Sequence, residues 1–161
     1  MKVPLVAACA ALAATLTLAQ DAPAVDAVNA VEAWQEDPMT IFQATEIDID
    51  DFRYVARPVV VFSDTPANPA FGRQVDLIRN RISALAERDV VVVLDAEPDA
   101  RSELRQRLRP RGFGLVLMNK DGSVALRKPS PWDVREITRS IDKTPERQQE
   151  LREQRRQPLT D

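Results

Sequence analysis

Two unbroken β-branched runs, Pro58-Val59-Val60-Val61-Phe62 and Val90-Val91-Val92-Val93-Leu94, constrain the fold of this chain more than any other feature. A strand with one wet face alternates apolar and polar residues, whereas a run without alternation is covered on both faces. Two further runs, Leu115-Val116-Leu117-Met118 and Val124-Ala125-Leu126-Arg127, flank Asn119-Lys120-Asp121-Gly122, where glycine can take the positive φ of a hairpin turn. Over residues 68–87, Phe71, Val75, Ile78, Ile82 and Leu85 are spaced by steps of four and three, which predicts one helix with Pro69 in its first turn. A shorter helix is expected over 98–108, with Ala100, Leu104 and Leu108 facing inward. A third opens at Ser130-Pro131-Trp132-Asp133, where Ser130 and Asp133 can form a capping box, and buries Val134, Ile137 and Ile141. Pro145 ends that helix or begins a separate charged one through Gln157.

The order over residues 52–144 is thus β-α-β-α-β-β-α. The first crossover gives a parallel pair and the hairpin an antiparallel one. The prediction is an α/β domain with a thioredoxin-like plan: a four-stranded mixed sheet with helices on both faces. About 95 residues suffice for a single modest core. Around it, residues 1–19 read as a signal peptide, 20–49 as an acidic linker, 50–144 as the domain and 145–161 as a charged tail. Met1-Lys2 supplies the basic start and an apolar stretch follows through Leu18. Thr17-Leu18-Ala19 then gives small residues for cleavage after Ala19. A membrane anchor fits less well, because the stretch is short and interrupted by Pro4 and threonines. Val6-Ala7-Ala8-Cys9 stands too near Met1 for a lipoprotein box. The expected location is periplasmic or secreted, with no stable membrane insertion after cleavage.

Charge is divided unevenly. Residues 21–51 carry nine acids and no base, while the chain from Phe52 onward has 16 acids and 21 bases. The acidic segment could fold back on the basic body or remain a solvated leader. The chain has no histidine, which excludes Ser-His-Asp and Cys-His catalysis and histidine-ligated metals. Its single cysteine, Cys9, lies in the signal segment, so the mature chain should hold no thiol for redox chemistry, disulfides or zinc. No cofactor motif is present and no catalytic residue or metal ligand is assigned. No nucleic-acid partner is expected for an exported, mildly acidic chain with two tryptophans and one tyrosine.

The loop after the first strand is the best place for a ligand. It joins a strand's carboxyl end to a helix's amino end, where free amides favour anions. Ser63, Asp64, Thr65 and Asn68, with Arg73 one turn into the helix, would bind one; alternatively Asn68 or Thr65 caps the helix and Asp64 makes a turn. Catalysis by Asp64 with Ser63 lacks a base to activate the hydroxyl. Arg101, Arg105, Arg107, Arg109 and Arg111 form the densest positive feature. Arg101, Arg105 and Arg109 on one helix face could hold an anion or a partner. They could equally pair with Asp99 and Glu103, or dock the acidic segment. Glu46-Ile47-Asp48-Ile49-Asp50-Asp51 lacks the central glycine and terminal glutamate of a calcium loop and reads as a leading strand or linker. The tail reads as a solvated helix or frayed end, with a partner-docking role resting on Leu151 alone.

Four segments together carry a resemblance: Arg57-Pro-Val-Val-Val-Phe-Ser-Asp, Ala86-Glu-Arg-Asp-Val-Val-Val-Val, Gly112-Phe-Gly-Leu-Val-Leu-Met-Asn-Lys-Asp-Gly and Ile141-Asp-Lys-Thr-Pro-Glu-Arg-Gln-Gln-Glu. They resemble the bacterial P-DUDES domain, a thioredoxin-like domain of unknown function similar to segments of animal sushi-repeat and other extracellular-matrix proteins. The resemblance spans residues 50–151 and implies the fold and an exported setting. It brings no agreed catalytic residue. Active thioredoxins carry their redox pair just after the first strand, where this chain has Ser63-Asp64-Thr65-Pro66-Ala67-Asn68-Pro69 and no sulfur. The expected function is a non-catalytic periplasmic binding module, with an envelope protein as partner. The alternative is a small anionic ligand binder, or a thiol-independent enzyme, using that loop.

Overall fold

The computed structural model describes residues 27–156; the signal segment and its cleavage site lie outside them. The helices are α1 (Ala27–Glu36), α2 (Pro69–Arg79), α3 (Ile82–Ala86), α4 (Glu103–Leu108), α5 (Val134–Asp142) and α6 (Pro145–Arg156). The strands are β1 (Ile41–Gln43), β2 (Arg57–Phe62), β3 (Val90–Asp95), β4 (Gly114–Met118) and β5 (Val124–Lys128), in the sheet order β1-β3-β2-β4-β5. β3 pairs in parallel with both β1 and β2, with Val59 opposite Val92, while β4 runs antiparallel to β2 and β5. This is the mixed thioredoxin-like sheet, but with five strands rather than the expected four. The added strand, β1, has three residues, too few to show a period of two.

Both faces of β2 and β3 are buried, as their valine runs require. Val60, Phe62, Val91 and Val93 pack with Trp34, Phe42, Phe52, Leu104 and Leu108 on one side. Val59, Val61, Val90 and Val92 pack with Phe71, Ile78, Leu85, Ile137 and Ile141 on the other. Adjacent valines of one strand therefore serve opposite cores, the consequence of side chains alternating across a pleat.

Several expectations are corrected. The helix expected over 68–87 is two, because Asn80 and Arg81 turn the chain back on the Asp76 and Ile78 carbonyls before α3 begins. The one over 98–108 is a 3₁₀ turn at Pro98–Ala100 followed by α4. Arg101 takes a left-handed conformation between them, and Ser102 restarts the helix by accepting from the Arg105 amide at 3.1 Å. Ser130 does not cap α5; Asp133 does, accepting from Arg135. Buried Gln74 holds both backbone groups of Trp132 (3.1 and 2.6 Å), which fixes that segment outside the helix. The Glu46–Asp51 stretch is neither a strand nor a plain linker. Its end forms a 3₁₀ turn, Ile49–Phe52, capped by Asp48. The acidic segment, expected as a linker to residue 49, is built into the domain from α1 onward, and the tail is a docked helix, α6.

Candidate functional site

β2 hands the chain to Ser63, which is fully buried. The Ser63 hydroxyl donates to the Thr65 carbonyl at 2.8 Å and accepts from the Thr65 amide at 3.4 Å, a local hydroxyl turn. Thr65 Oγ1 accepts from the Ala67 amide, and Asn68 Oδ1 caps α2 by accepting from the Ala70 amide at 2.9 Å. Three amides that an anion would use are thus engaged by the loop's own side chains. Arg73 is exposed on α2 and forms no ion pair among the described residues.

The same end of the sheet holds a buried charged node instead. Asp95, the last residue of β3, is 4 % exposed. Its Oδ1 accepts from Arg105 Nε (3.0 Å) and Nη2 (2.7 Å), and its Oδ2 accepts from the Ser102 hydroxyl at 2.5 Å. Arg105 Nη2 also donates to the Ser63 carbonyl at 2.7 Å, its Nη1 lies 3.5 Å from Asp64, and its guanidinium stands 5.6 Å from the Phe62 ring centroid. A carboxylate this deep is stable only when paired and fully hydrogen-bonded. Both Asp95 oxygens are. The node ties the ends of β2 and β3 to α4, and it positions groups without offering one free to react.

Of the sequence-predicted residues, the structure therefore joins Ser63, Asp64 and Arg105, and leaves Thr65 and Asn68 in turn and cap. Arg101 and Arg109 do not share a face with Arg105: each takes a left-handed conformation at one end of α4 and is exposed, while Arg105 turns inward. Arg107 binds Asp50 at 2.8 Å, a contact between basic body and acidic segment. Asp95 and Ser102 were not anticipated. Their only sequence signal was a lone acid closing a valine run ten residues before Arg105.

Phe62 also lines a cavity of about 190 Å³, together with Phe113, Leu115 and Val116 and the cations Arg109, Arg111, Arg127 and Lys128. The 109–113 loop lies against the Ser63 loop. Gly112 has φ +64°, and a Cβ there would meet Asp64 Oδ2 at 3.9 Å.

At the opposite end of β2 lies a second cluster that sequence reasoning missed. Arg57, 1 % exposed, donates to the Arg88 carbonyl (3.1 Å) and to Glu150 (2.7 Å) on α6. Lys120 bonds Asp89 (2.8 Å) and Glu150 (3.1 Å), and Arg147 bonds Glu150 (3.0 Å) and the Glu87 carbonyl (2.8 Å). Burial pushes the Glu150 carboxyl up, but the hydrogen bonds from Arg57, Arg147 and Lys120 outweigh it and hold it at about 2. A hollow of about 250 Å³ beside it is walled by carboxylates, Glu150 among them, and that group is already engaged in fastening α6.

Residues 48–150 match a family model described as a domain of unknown function, DUF4174. Among solved structures, Plasmodium yoelii Prx1a, modified at its N-terminus and forming an artifactual octamer, is 15 % identical; 60 % of this chain and 77 % of that one align, with a TM-score of 0.47. Thioredoxin peroxidase I of Plasmodium yoelii is 16 % identical over 58 % of this chain and 75 % of that one, with a TM-score of 0.40. No curated protein matches the sequence.

Proposed function

This chain belongs to the DUF4174 family, and from that premise we propose that it is a thioredoxin-like module that works by binding rather than by thiol exchange. The supporting observation is the loop after β2, where the Ser63 hydroxyl is buried in its own turn and Arg105 is locked between Asp95, Asp64 and the Ser63 carbonyl. Residues 27–156 contain neither cysteine nor histidine, so none of the described residues brings a thiolate or imidazole to that loop. The resemblance to the P-DUDES domain and the signal segment add a bacterial, exported setting to this reading, with an envelope protein as the partner. The test joins two measurements on the full chain. Crosslinking from position 64 in the periplasm should capture a discrete partner, and turnover of disulfide and ester substrates should stay at background. A reductase or hydrolase activity abolished by Asp64→Asn would overturn the reading.

A further inference from the structure

We propose that the cavity between the 109–113 loop and the ends of β4 and β5 is a binding site for a small organic anion with a compact apolar body. The site does not depend on a protein partner and would stand without one. Its accessible apolar lining comes from Pro110, Phe113 and Pro129, with Phe62 and Leu115 buried beneath the surface, and its charge from Arg109, Arg111, Arg127 and Lys128. Among the described residues, no carboxylate forms an ion pair with any of these four cations. Other cations without an ion pair, such as Arg73, Arg101 and Arg135, are exposed and lie outside its lining, whereas these four line one cavity. Arg127 donates to the Leu108 carbonyl at 2.8 Å, which fixes its guanidinium stem, and Lys128 rests over the Trp132 ring at 4.5 Å.

The volume sets the ligand's size. A space of about 190 Å³ equals about six waters of liquid, which fits one aromatic ring or a short branched chain and leaves the anionic head at the cations. Guanidinium forks suit a carboxylate or phosphate head. A bare inorganic anion would leave the apolar wall wet, and a neutral apolar molecule would leave the cations unmatched. The site also lies at the carboxyl end of β2, where open α/β sheets place ligands.

The experiment titrates the full chain with phenyl phosphate and benzoate, following backbone amide shifts of 109–116 and 127–129, with inorganic phosphate and benzyl alcohol as controls. Saturable shifts at those residues are expected below about 5 mM for the aromatic anions, and none for either control. Arg109→Gln with Arg111→Gln should weaken binding about tenfold or more, whereas Arg135→Gln, an exposed cation elsewhere, should change it less than about twofold. Gly114→Val is the second test. Gly114 lines the cavity and a Cβ there meets nothing within 4 Å, so the strand accepts a valine that takes up part of the space, and binding should weaken about tenfold or more with all four cations intact. Equal response to inorganic phosphate would reduce the site to a charge patch. Equal response to benzyl alcohol, or unchanged affinity in Gly114→Val, would overturn it outright.

Discussion

Arg105 answers a problem that β3 creates. The strand's run of valines ends in Asp95, and a carboxylate 4 % exposed at the end of an apolar strand must be matched on both oxygens. Arg105 on α4 and Ser102 at its N-cap do so, and a further Arg105 hydrogen bond fixes the Ser63 carbonyl at the end of β2. Removing one partner leaves the other buried and uncompensated, which typically costs about 3–5 kcal/mol. Arg105→Leu should therefore lose about that much in urea unfolding. Arg105→Leu combined with Asp95→Leu should recover at least about 1 kcal/mol of it, because the orphaned charge is gone. Simple additivity of the two losses would show that the ion pair is not what holds these strand ends.

The tail helix is fastened by polar side chains, Glu150 foremost among them. α6 is polar along most of its length, with Leu151 only half-buried, so apolar packing cannot fasten it. Glu150 does, through Arg57 and Lys120, while Arg147, on the same helix, bonds Glu150 and donates to the Glu87 carbonyl. Its carboxyl is held at about 2, below the ordinary value of 4.5, so the stabilisation is complete above pH 4.5 and is lost as pH falls from 4.5 toward 2. The full difference corresponds to about 3 kcal/mol, reduced to about 1–2 because the side chain is 23 % exposed. Glu150→Gln should flatten this acid limb of the stability profile and lower stability at neutral pH; a profile unchanged between pH 5 and pH 2.5 would exclude the role. None of this was legible, because Arg57 looks like the edge of a strand and Glu150 like one acid among many on a solvated helix. The strands themselves were legible, since unbroken valines between turn residues admit few other readings. So was the hairpin, through Asp121-Gly122. The helix breaks at Asn80 and Arg101 were not, for neither position holds proline or glycine, and each is closed by local backbone hydrogen bonds, Asn80 to Asp76 and Arg101 to Pro98, that no residue type there announces.

The uneven distribution of charge along the chain suggested two states for the acidic segment, a solvated leader or an electrostatic clasp. The structure gives a third. From residue 27 the segment supplies Ala30, Trp34, Phe42, Ile49 and Phe52 to one core, with Trp34 packed edge-on against Phe52 at 6.3 Å between ring centroids. Ala30, Val31 and Trp34 at helical spacing were the available signal, hidden by the acids between them and the brevity of β1. Charge still contributes: Arg107 bonds Asp50 and holds its carboxyl below the usual range, but both side chains are substantially exposed. These two attachments respond differently to salt. Trp34→Ala should cost about 3 kcal/mol, at the lower end for a buried aromatic because the indole N–H is buried without a partner among the described residues. That loss should be the same at about 0.05 M and about 0.5 M sodium chloride, since apolar burial has no charge to screen. Trp34→Phe keeps a ring and deletes the unmatched donor, so it should cost less than about 1 kcal/mol. Asp50→Asn should cost under about 1 kcal/mol at low salt and nearly nothing at high salt. If instead Trp34→Ala is mild and Asp50→Asn severe, or if salt removes most of the tryptophan's effect, the segment is clasped by charge. Its removal would then leave the basic body folded.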